Sequence, residues 1–72
     1  MKKKYKMENL DCANCAAKME DGIKKLDGVI NASVSFMAQK LTLEAEDDKF
    51  DAALKGALEI VSRIDADCKV LV

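Results

Sequence analysis

The 72-residue chain contains no histidine and no proline, and only three cysteines. Without histidine, the nucleophilic triads and dyads that depend on imidazole are out of reach, as are zinc sites that need imidazole ligands. Without proline, there is no counterpart of the proline loop expected beside the redox-active pair of a thioredoxin-like protein. An odd number of cysteines cannot form a complete set of intramolecular disulfides, which fits a reducing compartment. No apolar run approaches the roughly 18 residues of a membrane span. Met1 to Lys4 lacks the apolar stretch of a signal peptide. The expectation is therefore a soluble, cytoplasmic chain. Neither a glycine-rich phosphate loop nor a phosphorylation motif occurs, so the chain hydrolyses no ATP of its own.

Charge excludes further classes. Twelve basic residues against thirteen acidic ones leave a net charge of −1, which argues against nucleic acid or an anionic membrane as the main partner. The first half carries seven lysines against five acids and the second five basic residues against eight acids. Such a mild polarity reads mainly as solvated surface. Half of the residues are apolar, enough for a modest core in one domain spanning 1–72.

The periodicity of the apolar residues switches repeatedly. Tyr5 and Met7 alternate with Lys4, Lys6 and Glu8, as in a short strand with one buried face. Ala16, Met19, Ile23 and Leu26 recur at helical spacing, and Asp27-Gly28 supplies a stop. Ile30, Ala32, Val34 and Phe36 alternate with polar residues, as do Leu41, Leu43 and Ala45, so Met37 to Lys40 connects two antiparallel strands. A second helix is predicted from Phe50, Ala53, Leu54, Ala57, Leu58, Val61 and Ile64, with Gly56 costing roughly 1 kcal/mol of propensity inside it. Asp65 to Asp67 form a turn, and Cys68, Val70 and Val72 face one way on a last strand. The order strand, helix, strand, strand, helix, strand predicts an α+β fold, a four-stranded antiparallel sheet with both helices on one face.

Chemistry concentrates in Leu10-Asp11-Cys12-Ala13-Asn14-Cys15-Ala16-Ala17-Lys18, where the first strand gives way to the first helix. Two cysteines three apart at a helix start point two thiols at one ion. The unpaired N–H groups and positive dipole end there favour thiolates, which are good ligands for soft and borderline metals. Asp11 adds a carboxylate to the same corner, as a third ligand or as a helix cap. A permanent structural zinc site wants four ligands, and no second pair lies nearby.

This run, together with Leu26-Asp27-Gly28-Val29, Val34-Ser35-Phe36 and the stretch from Asp67 to Val70, resembles the heavy-metal-associated domains of soft-metal P-type ATPases and their metallochaperone relatives. The resemblance spans nearly the whole chain. It implies a ferredoxin-like βαββαβ fold with metal held at an exposed loop and passed on by ligand exchange. It also implies, as partners, other metal-binding domains or the membrane part of a metal-transporting ATPase. The working state implied is a monomer, with a metal-bridged dimer as the alternative.

Asp11 bears on which metal. Copper(I) domains of the family commonly read Gly-Met-x-Cys-x-x-Cys, whereas this chain reads Asn9-Leu10-Asp11-Cys12. Two thiolates and a carboxylate carry a charge that a divalent ion neutralises better than a monovalent one. Zn(II) and Cd(II) accept mixed sulfur and oxygen ligands, while Cu(I) selects soft sulfur. The Asp-Cys-x-x-Cys form resembles the amino-terminal domains of zinc, cadmium and lead exporting ATPases. The metal ligands expected are thus Cys12, Cys15 and Asp11, and the ion Zn(II) or Cd(II), with Pb(II) a further candidate. The alternatives are a free-standing copper(I)-type metallochaperone and, from the enzyme class, a dithiol oxidoreductase.

The remaining residues read as structure. Cys68 is expected to be a small core residue, Met7 and Met37 core filler, and Lys2 to Lys4 a solvated strand edge. Leu10 is expected to tuck beneath the metal loop, and Ile64 to shield the site from the end of the second helix.

Overall fold

A computed structural model describes all 72 residues. The chain runs β1 (Lys2–Glu8), α1 (Ala13–Lys24), β2 (Val29–Ser35), β3 (Lys40–Ala45), α2 (Phe50–Ile64) and β4 (Lys69–Leu71), with a short 3-10 turn over Asp47–Lys49 leading into α2. The strands form one antiparallel sheet in the order β2-β3-β1-β4. This is the four-stranded sheet expected from the order of elements, in the ferredoxin-like arrangement that the family resemblance implies.

Alternation decides which sheet face is covered. Met7, Ala32, Leu41, Leu43 and Ala45 point to the helices and are at most 3% exposed, while Lys4, Lys6, Ser33 and Lys40 point to solvent. Met19 and Ile23 of α1, and Ala53, Ala57 and Val61 of α2, close the core from the other side. Replacing Leu41 or Leu43 with alanine would remove about 2–5 kcal/mol on the usual scale for wholly buried leucine. All fourteen buried residues belong to one cluster, and Asp11, Cys12 and Cys15 are not among them.

The two helices approach through glycines. A Cβ on Gly22 of α1 would lie 3.1 Å from Ile60 Cγ2, and one on Gly56 of α2 would lie 3.0 Å from Leu26 Cδ1. Each glycine is a notch for an aliphatic side chain from the opposite element. That gain offsets the propensity lost at Gly56. Gly28, by contrast, is needed for its backbone: its φ of +85° is a left-handed conformation, and a Cβ there would meet the Lys49 side chain at 2.7 Å.

Three local expectations are corrected. Ile30 does not face the core but is 62% exposed, because the β2–β3 register slips between Val29 and Asn31 and leaves it unpaired. Met37 is not core filler: it sits in the turn between β2 and β3 and is 90% exposed. The first helix stops at Lys24, before Asp27-Gly28, and Leu26 packs into the Gly56 notch from the turn that follows. Lys2 to Lys4 do form a partly open edge, since β4 pairs only with Lys6 to Glu8 of β1. No helix is long and apolar enough to cross a membrane.

Candidate metal centre

Antiparallel pairing gathers three connections at one end of the sheet: the loop from Asn9 to Cys12, the turn between β2 and β3, and the turn between α2 and β4. The first of these carries the cysteines. Cys12 is the N-cap residue of α1, with extended backbone (φ −132°, ψ 112°), and its Sγ accepts a hydrogen bond from the Cys15 N–H at 3.2 Å. A thiol here takes the capping place usually held by Ser, Thr, Asp or Asn. Asp11 is therefore not the cap. Its side chain is exposed on the loop, beside the first thiol in sequence.

The pair titrates unequally. The Cys15 thiol and the Cys15 N–H both donate to Cys12 Sγ and stabilise it as the thiolate, as does the Asn14 N–H, so the Cys12 thiol lies below its ordinary value; burial and the Asp11 charge act the other way. Cys15 is pushed up, first because its proton is held in the bond to Cys12, then by burial and by the nearby Cys12 and Asp65 charges. Both thiols are only half-buried, so an incoming ion can reach them. In the metal-free chain Cys12 should thus lose its proton at lower pH than Cys15. With a limiting thiol-alkylating reagent, labelling at Cys12 is expected to rise first as pH increases, which mass mapping of the labelled peptides would check.

The loop is held from below and from both flanks. Leu10 is 2% exposed and anchors it in the core, as expected. The residue that holds its backbone was not evident from sequence. Gln39, in the turn between β2 and β3, accepts the Leu10 N–H through Oε1 at 3.1 Å and donates through Nε2 to the Leu10 and Phe36 carbonyls, the latter at 2.8 Å. Its own carbonyl accepts the Met7 N–H at 2.7 Å. Gln39 takes up φ +55° and Asn9 φ +62°, both left-handed. On the other flank the Asn9 side chain donates to the Asp67 carbonyl at 3.2 Å, which ties the loop to the turn after α2. Asp65 accepts the Asp67 N–H at 3.1 Å in that turn.

Gln39→Ala would leave the Leu10 N–H and two carbonyls unpartnered. Stability is expected to fall by about 1–3 kcal/mol, and metal affinity by about tenfold, the range typical of residues that orient ligands. Gln39→Glu should recover little of either, since it can accept from Leu10 but not donate. Denaturant melts with parallel metal titrations measure both.

Cys12 and Cys15 are thus brought together. The Asp11 carboxylate does not close with them into a three-side-chain cluster in this conformation. Cys68 is 5% exposed within the core, and burial, followed by the Asp65 and Asp11 charges, pushes its thiol up. Ile64 ends α2, partly buried against the core.

Comparison with known proteins meets this geometry. Residues 4–66 match the model of the heavy-metal-associated domain. A cadmium, zinc and cobalt-transporting ATPase of Bacillus subtilis is 41% identical over 46 residues, 64% of this chain and 7% of its own. A probable cadmium-transporting ATPase of Listeria monocytogenes is 40% identical over 55 residues, 76% of this chain and 8% of its own. The chain therefore spans less than a tenth of the length of these relatives. Among solved structures, the N-terminal domain of a potential copper-translocating P-type ATPase from Bacillus subtilis, in its Cu(I)-loaded state, superposes with a TM-score of 0.75 at 29% identity, covering 96% of this chain and 84% of that one. With a capped Cys-x-x-Cys loop on a ferredoxin-like sheet and a family match over nearly its whole length, this chain belongs to the heavy-metal-associated domain family.

Proposed function

We propose that residues 1–72 form one domain that binds Zn(II) or Cd(II) reversibly through Cys12, Cys15 and Asp11 and passes the ion on by ligand exchange, as the cytoplasmic metal-binding domain of a metal-exporting P-type ATPase. The observation that carries this reading is the division of labour at the helix start. Cys12 caps α1, so the exposed Asp11 carboxylate has no capping duty and is free to turn toward an ion held by the two half-exposed thiols. A divalent ion gains from that oxygen and charge, whereas Cu(I) is satisfied by two sulfurs. The cadmium and zinc transporters among the relatives support the same preference.

The domain supplies no catalysis of its own. Its contribution is two thiols at modest depth, Cys12 the readier of them to ionise, on a loop pinned at Leu10 so that the donors stay at the surface. An acceptor's thiolates can then displace them one at a time. A Cu(I) reading is favoured by one observation, the 29% identity to a copper-loaded ATPase domain. Competition titration decides between them: tight Zn(II) and Cd(II) binding that depends on Asp11 is the expected result. Cu(I) binding that is indifferent to Asp11, with weak Zn(II) and Cd(II), would overturn the proposal.

A further inference from the structure

The face of the sheet turned away from the helices carries a charge opposite to that of the chain as a whole. Lys2, Lys4 and Lys6 of β1, Lys40 of β3 and Lys69 of β4 all point to it, and none is in an ion pair. Across the strands, Glu44 stands opposite Lys2 and Glu8 opposite Lys69, which offsets the two outer lysines. The centre is left uncompensated. Lys4 faces Thr42, and Lys6 faces Lys40 directly, a like-charge pairing that costs stability. Net charge is −1 overall, so with only Glu8 and Glu44 on this face most of the acids lie elsewhere, and this patch stands out against them. Beside it, Ser33, Thr42 and Asn31 line a shallow groove of about 280 Å³ with Lys2 and Lys4, and Glu44 closes its outer end.

We infer that this open sheet face is a docking surface for a carboxylate-bearing protein segment. Lysines at every second position of a strand are spaced by about 6.8 Å, the distance between same-side residues of an extended chain. Alternating carboxylates of a partner strand would therefore meet Lys4 and Lys6 in step, and the hydroxyls and amide of the groove can bond the partner's backbone. Glu8 and Glu44 at the two ends of the patch oppose a uniform polyanion such as a duplex or an anionic bilayer. No aromatic ring lies on this face for a base to stack on, since Tyr5 and Phe50 belong to the helix side and Phe36 to a turn. Lys6 and Lys40 border the Gln39 end of the sheet, so a partner held here sits beside the metal loop without covering Cys12 or Cys15.

The test is titration of the isotopically labelled chain with a peptide alternating Glu and Ser, at low ionic strength, followed by amide shifts. Shifts are expected along β1 and β3 around Lys4, Lys6, Lys40 and Thr42. A variant combining Lys4→Gln, Lys6→Gln and Lys40→Gln should bind at least about tenfold more weakly, with metal affinity and denaturant stability retained. Shifts confined to Lys18, Lys24 and Lys55 on the helices, or undiminished binding by the triple variant, would overturn the inference. So would tighter, equally lysine-dependent binding to phosphatidylglycerol vesicles or to an oligonucleotide than to the peptide. The metal proposal stands or falls separately, because its readout is affinity at the cysteines.

Discussion

Replacing both Cys12 and Cys15 with serine is expected to abolish tight metal binding while leaving the fold intact. Thiolates supply most of the affinity for soft and borderline ions, and the loss should exceed roughly a thousandfold, beyond the 10–100-fold typical of groups that only orient ligands. The fold should survive because Cys12→Ser still presents an acceptor, now a hydroxyl oxygen, to the N–H that bonds Cys12 Sγ, and serine is among the preferred N-cap residues. Stability within about 1 kcal/mol of the parent chain is expected from denaturant melts. Cys68→Ala gives the contrast: buried at 5% exposure, it should cost stability without changing affinity. Retained micromolar or tighter binding in the double serine variant would remove the thiols from the centre of the site.

Asp11→Ala separates the metals. Zn(II) and Cd(II) affinities are expected to drop by about tenfold or more, while Cu(I) affinity stays nearly unchanged, because only the divalent ions use the oxygen and its charge. Cys12 occupies the cap of α1, so the substitution should not bring the penalty of about 1 kcal/mol that a lost cap carries. The thiol responds in the opposite sense. The Asp11 charge is one of the influences that raise the Cys12 thiol, against the larger lowering by Cys15. Removing it should let Cys12 ionise at still lower pH, which favours every metal slightly near neutrality. A loss specific to divalent ions would therefore run against the thiol effect. Equal losses for all three ions in parallel titrations would refute a carboxylate ligand.

Much of the architecture was legible because each segment keeps one period. Leu41, Leu43 and Ala45 alternate without a break and are all buried, and Leu10 lies under the loop as its position before the cysteines suggested. What escaped were features that depend on pairing. Ile30 fits the alternation of its strand, but a register slip against β3 turns it out, and register is a property of two strands. Met37 and Gln39 sit together in a turn with no glycine or asparagine to mark its left-handed residue. One side chain there ends in solvent and the other clasps Leu10, a contact between residues 29 apart in sequence. The capping thiol was also hidden, since Asp is the commoner cap and stood one position earlier. The cysteine pair needed no such knowledge.

The separation of the core from the proposed ligands has a consequence for cargo exchange. In a zinc finger the ion is a keystone, and its departure unfolds the chain. Here fourteen core residues close without Asp11, Cys12 or Cys15, so the empty and loaded chains would share one shape. Loading would stabilise only by mass action, about 2.7 kcal/mol at a hundredfold excess of free ion over Kd. None of the binding free energy would be diverted into folding, and none would have to be restored when the ion leaves. The hand-over would then be a comparison of two sets of ligands alone, and one domain could serve as a reusable berth through many cycles.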